Sequence, residues 1–305
     1  MVGMNLDAYT GEDLYSDGDI EDEILKIYEE QQDVTAVLAK DNRWPILYHL
    51  SPLRRNLLDW YPFQPDANLL EVGAGCGALT ELLCAKVRKV VAIELSKRRA
   101  EVISHRCRSL RSLEVFVGNI MDMSLPIRFD YLTLIGVLEY AGRFLHSQQP
   151  YLDFLVGMNK HLTPDGTLIL GIENKFGLKY WAGFREDHTG RFFDSLEGYP
   201  HRDDIATFSK EELTRLLHDA GFTTLQYYYP IPDYKFPELI FSDDFLPKMG
   251  DMAEVARGQA DGQMISFDYD RLKLFNEKLV FDNIIRSNHF SFFANSFLVI
   301  CRKKD

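Results

Sequence analysis

Apolar and polar positions follow two rhythms along this chain. From Asp19 to about Gln32, Ile20, Ile24, Leu25, Ile27 and Tyr28 recur at helical spacing. A second helical stretch carries Ile46, Leu47, Leu50, Leu53, Leu57 and Leu58. Ser51-Pro52 interrupts it and restarts it, with Ser51 as N-cap and Pro52 at the first helical position. Tyr61-Pro62 ends it. Residues 1–18 read as a loose acidic lead-in.

Beyond that point short apolar runs alternate with helical patterns. NLLEV (68–72), KVVAIE (89–94), LEVFV (113–117), FDYLTLIG (129–136) and TLILGI (167–172) predict strands. The apolar continuity of KVVAIE predicts a strand covered on both faces. Helices are expected at about 78–86, 97–108 and 151–162, the last ended by the turn Thr163-Pro164-Asp165-Gly166. Ser209 and Glu212 form a capping box ahead of LTRLLHDA, and Gly221 supplies the stop. TTLQYYYP (223–230) and HFSFFANSFLVICRK (289–303) predict the last two strands. This rhythm predicts an α/β chain, a doubly wound Rossmann-like sheet of seven strands. A helical lid would occupy residues 1–64, packing over the rim of the sheet or on its flank. The domain proper would run from 65 to 305. Two long excursions interrupt it, at about 173–207 and 231–288, the second with a helical patch near 270–282; both exceed an ordinary connection.

Composition adds limits. The chain has 305 residues, and 21 Phe and 15 Tyr give ample material for a core. Acidic residues outnumber basic ones 46 to 34, for a net charge of -12, which repels phosphate backbones. The basic residues Lys97, Arg98, Arg99, Arg106, Arg108 and Arg111 cluster on one helix, as a solvated face would. Cys76, Cys84, Cys107 and Cys301 form no CxxC pair, so no zinc knuckle or redox motif is expected. The acidic N-terminus is unlike a signal peptide, and no apolar run would span a bilayer. A cytoplasmic setting is expected.

Candidate chemistry begins after the first strand of the alternating region, at Glu71-Val72-Gly73-Ala74-Gly75-Cys76-Gly77. Glycines let a backbone turn sharply and approach a ligand closely, and the helix start that follows offers N–H groups and a positive dipole end. Ligands of open α/β sheets bind at this rim. Glu94 closes the next strand, 19 residues after Gly75. A carboxylate there can accept both hydroxyl protons of a ribose. GAGCGA also fits the dinucleotide pattern GxGxxA, so NAD and S-adenosylmethionine both remain open at this point.

The order LLEVGAGCGALTELL, VVAIELS, VFVGNIMDM, FDYLTLIGVLEYA and TFSKEELTRLLHDAGF resembles the class I S-adenosylmethionine-dependent methyltransferases, over roughly residues 65–230 and 289–303. The resemblance implies S-adenosylmethionine as cofactor. It matches Glu71, Gly73, Gly75 and Gly77 to the cofactor loop, Glu94 to the ribose acid, and Asn119 and Ile120 to the adenine contacts, with Asn where the family usually has Asp. It places Ile135 and Gly136 near the methionine part. The front half is also similar to ribosomal RNA adenine dimethyltransferases. Those need an Asn-Leu-Pro-Tyr type tetrapeptide after strand four, where this chain has LIGVLEY.

The segment 173–207 and the stretch PIPDYKFPELIFSDDFLP resemble bacterial methyltransferases found beside or fused to glycosyltransferases of surface-polysaccharide biosynthesis. Aromatic faces among carboxylates suit a sugar or other polyhydroxylated acceptor. O-methylation of a sugar or glycoconjugate hydroxyl is therefore the expected activity, with a small-molecule or glycan acceptor and nucleic acid disfavoured. The alternatives are an RNA or other small-molecule methyltransferase, an NAD-dependent oxidoreductase, or a cofactor-binding scaffold without catalysis. The candidate catalytic residues are His188, Glu173 and Glu139; an imidazole titrates nearest neutrality. Asp187, His188, Asp194, Asp203 and Asp204 are metal-capable, but their spacing matches no cage, and no metal is expected.

Overall fold

The computed structural model describes residues 2–13, 15–16, 18–250 and 271–303. The chain divides into two compact units. The first comprises Met1–Leu134 and Lys160–Leu168, and the second Ile135–Asn159 and Ile169–Asp305.

The first unit contains β1 (Met4–Ala8), β2 (Asn68–Val72), β3 (Lys89–Glu94), β4 (Leu113–Gly118) and β5 (Phe129–Ile135, to Leu134). Their hydrogen-bonded order is β1-β4-β3-β2-β5, with the first half of β6 (Leu162–Glu173) beside β5. The pairs β1–β4, β3–β4, β2–β3 and β2–β5 are parallel. Leu69, Leu70, Val90, Ala92 and Val117 are buried, as continuous apolar strands require. The helix Ile20–Glu29 packs on the helix Lys97–Arg106. Ile20, Ile24, Ile27, Ile46, Leu50 and Val102 share one apolar cluster with Cys76 of the glycine loop. A buried ion pair, Arg99 Nε to Glu21 Oε1 at 2.6 Å, and a second pair of Arg98 with Asp22 join the two helices. These arginines are therefore tied to the N-terminal helix rather than forming a free basic face.

The second unit contains the second half of β6, then β9 (Ser296–Arg302), β7 (Thr224–Ile231) and β8 (Leu239–Ser242) in hydrogen-bonded order. β7 is antiparallel to both β9 and β8. The capping box Ser209/Glu212 forms as expected.

Nine strands stand among the described residues where seven were expected. β1 lies in the stretch expected to be a loose lead-in. MNLDA has no apolar run to announce it; it is an edge strand whose place is set by its partner. A Cβ at Gly118 would collide with the Ala8 carbonyl, so glycine on β4 lets β1 approach. β8 lies within the second excursion. The final strand begins at Ser296, not 289; Phe290–Phe293 is a helical turn. Asn295 is the reason. Its carbonyl accepts from Asn174 N–H, its Oδ1 from Lys179 N–H, and its Nδ2 donates to the Pro232 carbonyl, so it serves loops rather than a ladder. The helical patch expected near 270–282 is the helix Glu277–Arg286, and residues 251–270 of that excursion lie outside the described residues. Among the described residues no helix is long and apolar enough to cross a membrane.

Candidate active site

In the first unit the chain leaves β2 through Gly73, Gly75 and Gly77, at φ 72°, 56° and 77°, a region costly for any residue with a Cβ. A Cβ at Gly75 would meet nothing within 4 Å, so the backbone angle, not space, demands glycine there. The loop's amides shape the loop itself. Gly73 and Ala74 donate to the Ile93 carbonyl, Gly77 to Ala74, and Gly75 to Glu94 Oε2 at 2.7 Å. The other Glu94 oxygen accepts from Ser96 N–H at 3.0 Å. Glu94 thus ties the glycine loop to the start of the helix Lys97–Arg106, and each oxygen keeps a second lone pair. Arg106 braces the loop from behind, donating to the carbonyls of His49 and Cys76. Glu71 is buried and accepts from Thr80 Oγ1 at 2.7 Å. Burial pushes its carboxyl up to about 8, against the Thr80 bond. Asn119 caps the turn Ile120–Asp122 through Met121 N–H, and Ile120 is buried.

In the second unit three stretches converge: the turn Leu138–Tyr140, the end of β6 at Glu173, and the loop Glu186-Asp187-His188. His188 Nδ1 lies 2.7 Å from Glu186 Oε1. Glu186 also accepts from His188 N–H, Thr189 N–H and Tyr199 Oη. The imidazole is thereby fixed, with its Nε2 facing Glu139 Oε1 at 3.5 Å and Glu173 Oε2 at 3.7 Å. Lys235 pairs with the other oxygen of Glu173 and with Asp187, which Lys179 and Tyr180 also hold. Glu139 Oε2 and Glu173 Oε2 are buried and accept no hydrogen bond. At Gly136, φ 71°, a Cβ would lie 2.8 Å from Tyr234 Oη and 3.5 Å from Glu139 Oε1.

Charges here move one another. Burial raises the Glu139 carboxyl, only partly opposed by His188. Burial would raise Glu173 as well, but Lys235 and His188 outweigh it and hold it below the usual range. Burial opposes the charged form of His188, yet Glu186, Glu139 and Glu173 raise it well above its ordinary value. These carboxylates favour the charged imidazole, so His188 does not titrate near neutral pH as an ordinary histidine would.

Residues 70–168 match the family model of a methyltransferase domain. The structure is similar to a phosphoethanolamine N-methyltransferase of Haemonchus contortus, with a TM-score of 0.50 at 12% identity over 94% of this chain and 49% of that one. The chain has the class I S-adenosylmethionine-dependent methyltransferase fold. The Haemonchus contortus enzyme is in complex with phosphoethanolamine and S-adenosylhomocysteine. By sequence the chain is 36% identical over 69 residues to a ribosomal RNA small subunit methyltransferase A of Geobacter metallireducens, which is 23% of this chain and 25% of that protein. It is 24% identical to nodulation protein S of Rhizobium tropici over 161 residues, 52% of this chain and 66% of that one. The chain spans about a quarter of the length of the ribosomal RNA methyltransferases that it matches.

Of the residues singled out in the sequence, Glu71, Gly73, Gly75, Gly77 and Glu94 form one connected loop. Glu139, Glu173 and His188 form one cluster, although Glu139 and His188 are 49 positions apart in the sequence. Asp194, Asp203 and Asp204 do not ligate with them; Asp204 pairs with Arg202 and Arg143. Sequence reasoning missed Glu186, Lys179, Tyr199 and Lys235. The available signal was a buried charge inside an apolar run, as at Lys179 in GLKYWAG.

Proposed function

We propose that the protein transfers the methyl group of S-adenosylmethionine to a hydroxyl of a small polyhydroxylated acceptor, such as a sugar or glycoconjugate. One observation carries the reading: Glu139 and Glu173 each present a buried carboxylate oxygen without a hydrogen bond, beside an imidazole. Buried acceptors of that kind call for donors, and an acceptor's hydroxyls supply them. Gly136 adjoins Glu139 and belongs to the stretch that the family resemblance places near the methionine part of the cofactor.

The nucleoside-binding set is Glu71, Gly73, Gly75, Gly77, Glu94, Asn119 and Ile120, with Ile135 and Gly136 for the methionine part. The loop fits this cofactor better than a dinucleotide. Amides at Gly73, Ala74, Gly75 and Gly77 are donated internally, whereas a pyrophosphate needs them. The bound cofactor supplies a methyl carbon on a sulfonium, whose C–S bonding pair stays on sulfur as the C–O bond forms. The protein's share is alignment, which can lower a barrier by roughly 7–11 kcal/mol. Glu139 Oε2 receives the hydroxyl proton, which becomes strongly acidic as the new bond forms. Glu173 and His188 orient the acceptor around it.

A second reading, methylation of an RNA adenine, draws on the names of the ribosomal RNA relatives, which speak for RNA more directly than for a glycan. The turn after β5 reads Ile135-Gly136-Val137-Leu138-Glu139-Tyr140, without the tetrapeptide of the adenine dimethyltransferases, and the carboxylate cluster repels phosphate. The test uses labelled methyl donor with glycan precursors in one arm and small-subunit ribosomal RNA in the other. Label on a sugar oxygen supports the first reading, and label on RNA adenine replaces it. Calorimetry with S-adenosylhomocysteine and NAD separates both from an oxidoreductase. Tight S-adenosylhomocysteine binding without transfer to either arm favours the scaffold.

A further inference from the structure

We propose that Glu139, Glu173 and His188 bind a divalent cation of the manganese-to-zinc series. The three side chains each offer one ligand atom, all within 4.8 Å of one another. His188 Nε2 stands 3.5 Å from Glu139 Oε1 and 3.7 Å from Glu173 Oε2, too far for good hydrogen bonds. These spacings approach those of neighbouring ligands on one ion, about 3.0–3.4 Å for metal–ligand bonds of about 2.0–2.2 Å.

The imidazole is placed as a metal ligand, an arriving ion displacing the Nε2 proton. Its Nδ1 is engaged by Glu186 at 2.7 Å, and Glu186 is itself fixed by two amides and Tyr199. A ligating histidine commonly has a carboxylate on its other nitrogen, which sets the tautomer and aims Nε2 at the ion. Glu173 is divided in the same way. Lys235 holds one oxygen, while Oε2, buried and accepting no hydrogen bond, faces Nε2. One imidazole with two carboxylates suits Mn²⁺, Fe²⁺ or Zn²⁺ better than Mg²⁺, which prefers oxygen alone.

The consequence for catalysis, but not the binding itself, rests on the proposed methyl transfer. A hydroxyl on the ion would lose its proton more readily, as metal-bound water does, and the unpartnered Glu139 Oε2 would be the oxygen to take it. The C–S and C–O bonds exchange as described above, and the ion is neither oxidised nor reduced.

The test is a Mn²⁺ titration of the full chain followed by electron paramagnetic resonance, with S-adenosylhomocysteine affinity measured on the same samples. Saturable binding of one Mn²⁺ per chain is expected. Glu139→Gln and Glu186→Gln should each weaken it by about ten-fold or more. Asp203→Asn, an exposed acidic control, should leave it unchanged. Glu139→Gln is the primary variant because it preserves shape; Glu173→Gln would strand Lys235, so its melting is checked first. Absence of saturable binding, or binding unchanged in Glu139→Gln and Glu186→Gln, overturns the site. Displacement of Mn²⁺ from exposed acidic residues alone, seen as loss in Asp203→Asn, overturns it as well. So does ethanolamine binding that Glu139→Gln abolishes while Mn²⁺ fails to bind, which would make this an ammonium pocket. Loss of S-adenosylhomocysteine binding with Mn²⁺ retained would instead sink the methyl-transfer reading and leave the cation site standing.

Discussion

The glycine loop of the first unit and the carboxylate–histidine cluster of the second are built on opposite principles. The loop takes its shape from backbone angles and amide donors, with Glu94 as the one side chain bridging Gly75 and Ser96. The cluster takes its shape from side-chain charge, with Glu186, Asp187, Lys179 and Lys235 fixing one another and His188. Backbone-shaped sites depend on conformations that few residues tolerate. Charge-shaped sites depend on every partner being present, because a stranded buried charge is costly.

The largest effect should follow from breaking the second kind. Glu186→Ala removes the acceptor of four hydrogen bonds and strands the His188 charge. We expect a loss of about 3–5 kcal/mol in urea denaturation. S-adenosylhomocysteine affinity should survive in the folded fraction; its collapse would show that the two regions are not separable.

Glu71→Gln probes the loop through pH. The folded carboxyl is raised to about 8, so the folded chain keeps its proton where the unfolded chain has lost it. Stability from this group therefore falls as pH rises from the ordinary carboxyl range to about 8, and then levels. Glu71→Gln should gain on the natural protein by on the order of 3 kcal/mol between pH 5.5 and 8, read from paired urea curves. Parallel curves would mean that Glu71 is ionised in the fold.

Glu94→Ala should cost about 2–3 kcal/mol of S-adenosylhomocysteine binding, roughly 30- to 150-fold by calorimetry. Unchanged binding would leave Glu94 as a brace only. Gly75→Ala is the mildest, at about 1–2 kcal/mol of stability for a residue held at positive φ. A neutral result would show that the loop can re-form around a Cβ.

The same contrast explains what could be read from the sequence. Gly73, Gly75 and Gly77 and the apolar runs of β2–β6 were legible because the conformations they require restrict residue choice locally. Glu139 and Glu173 were legible as individuals from their positions after strands, and His188 from its imidazole inside EDHTG. Their meeting was not, because it depends on Glu186, Lys179 and Lys235, whose charges look like ordinary surface residues until the fold buries them. β1 was missed for a related reason: an edge strand is specified by the neighbour it pairs with, and Gly118 carries that information at a distance.

Asn174 fastens this second region to a segment that the ribosome delivers much later. Its side chain holds the carbonyls of Phe292 and Ala294, the latter 120 residues onward, while Asn295 clasps the stretches bearing Lys179 and Lys235. During synthesis the glycine loop can therefore take shape while the charged cluster still waits for its latch. A nascent chain halted before that latch would carry a formed glycine loop and an unfinished charge cluster.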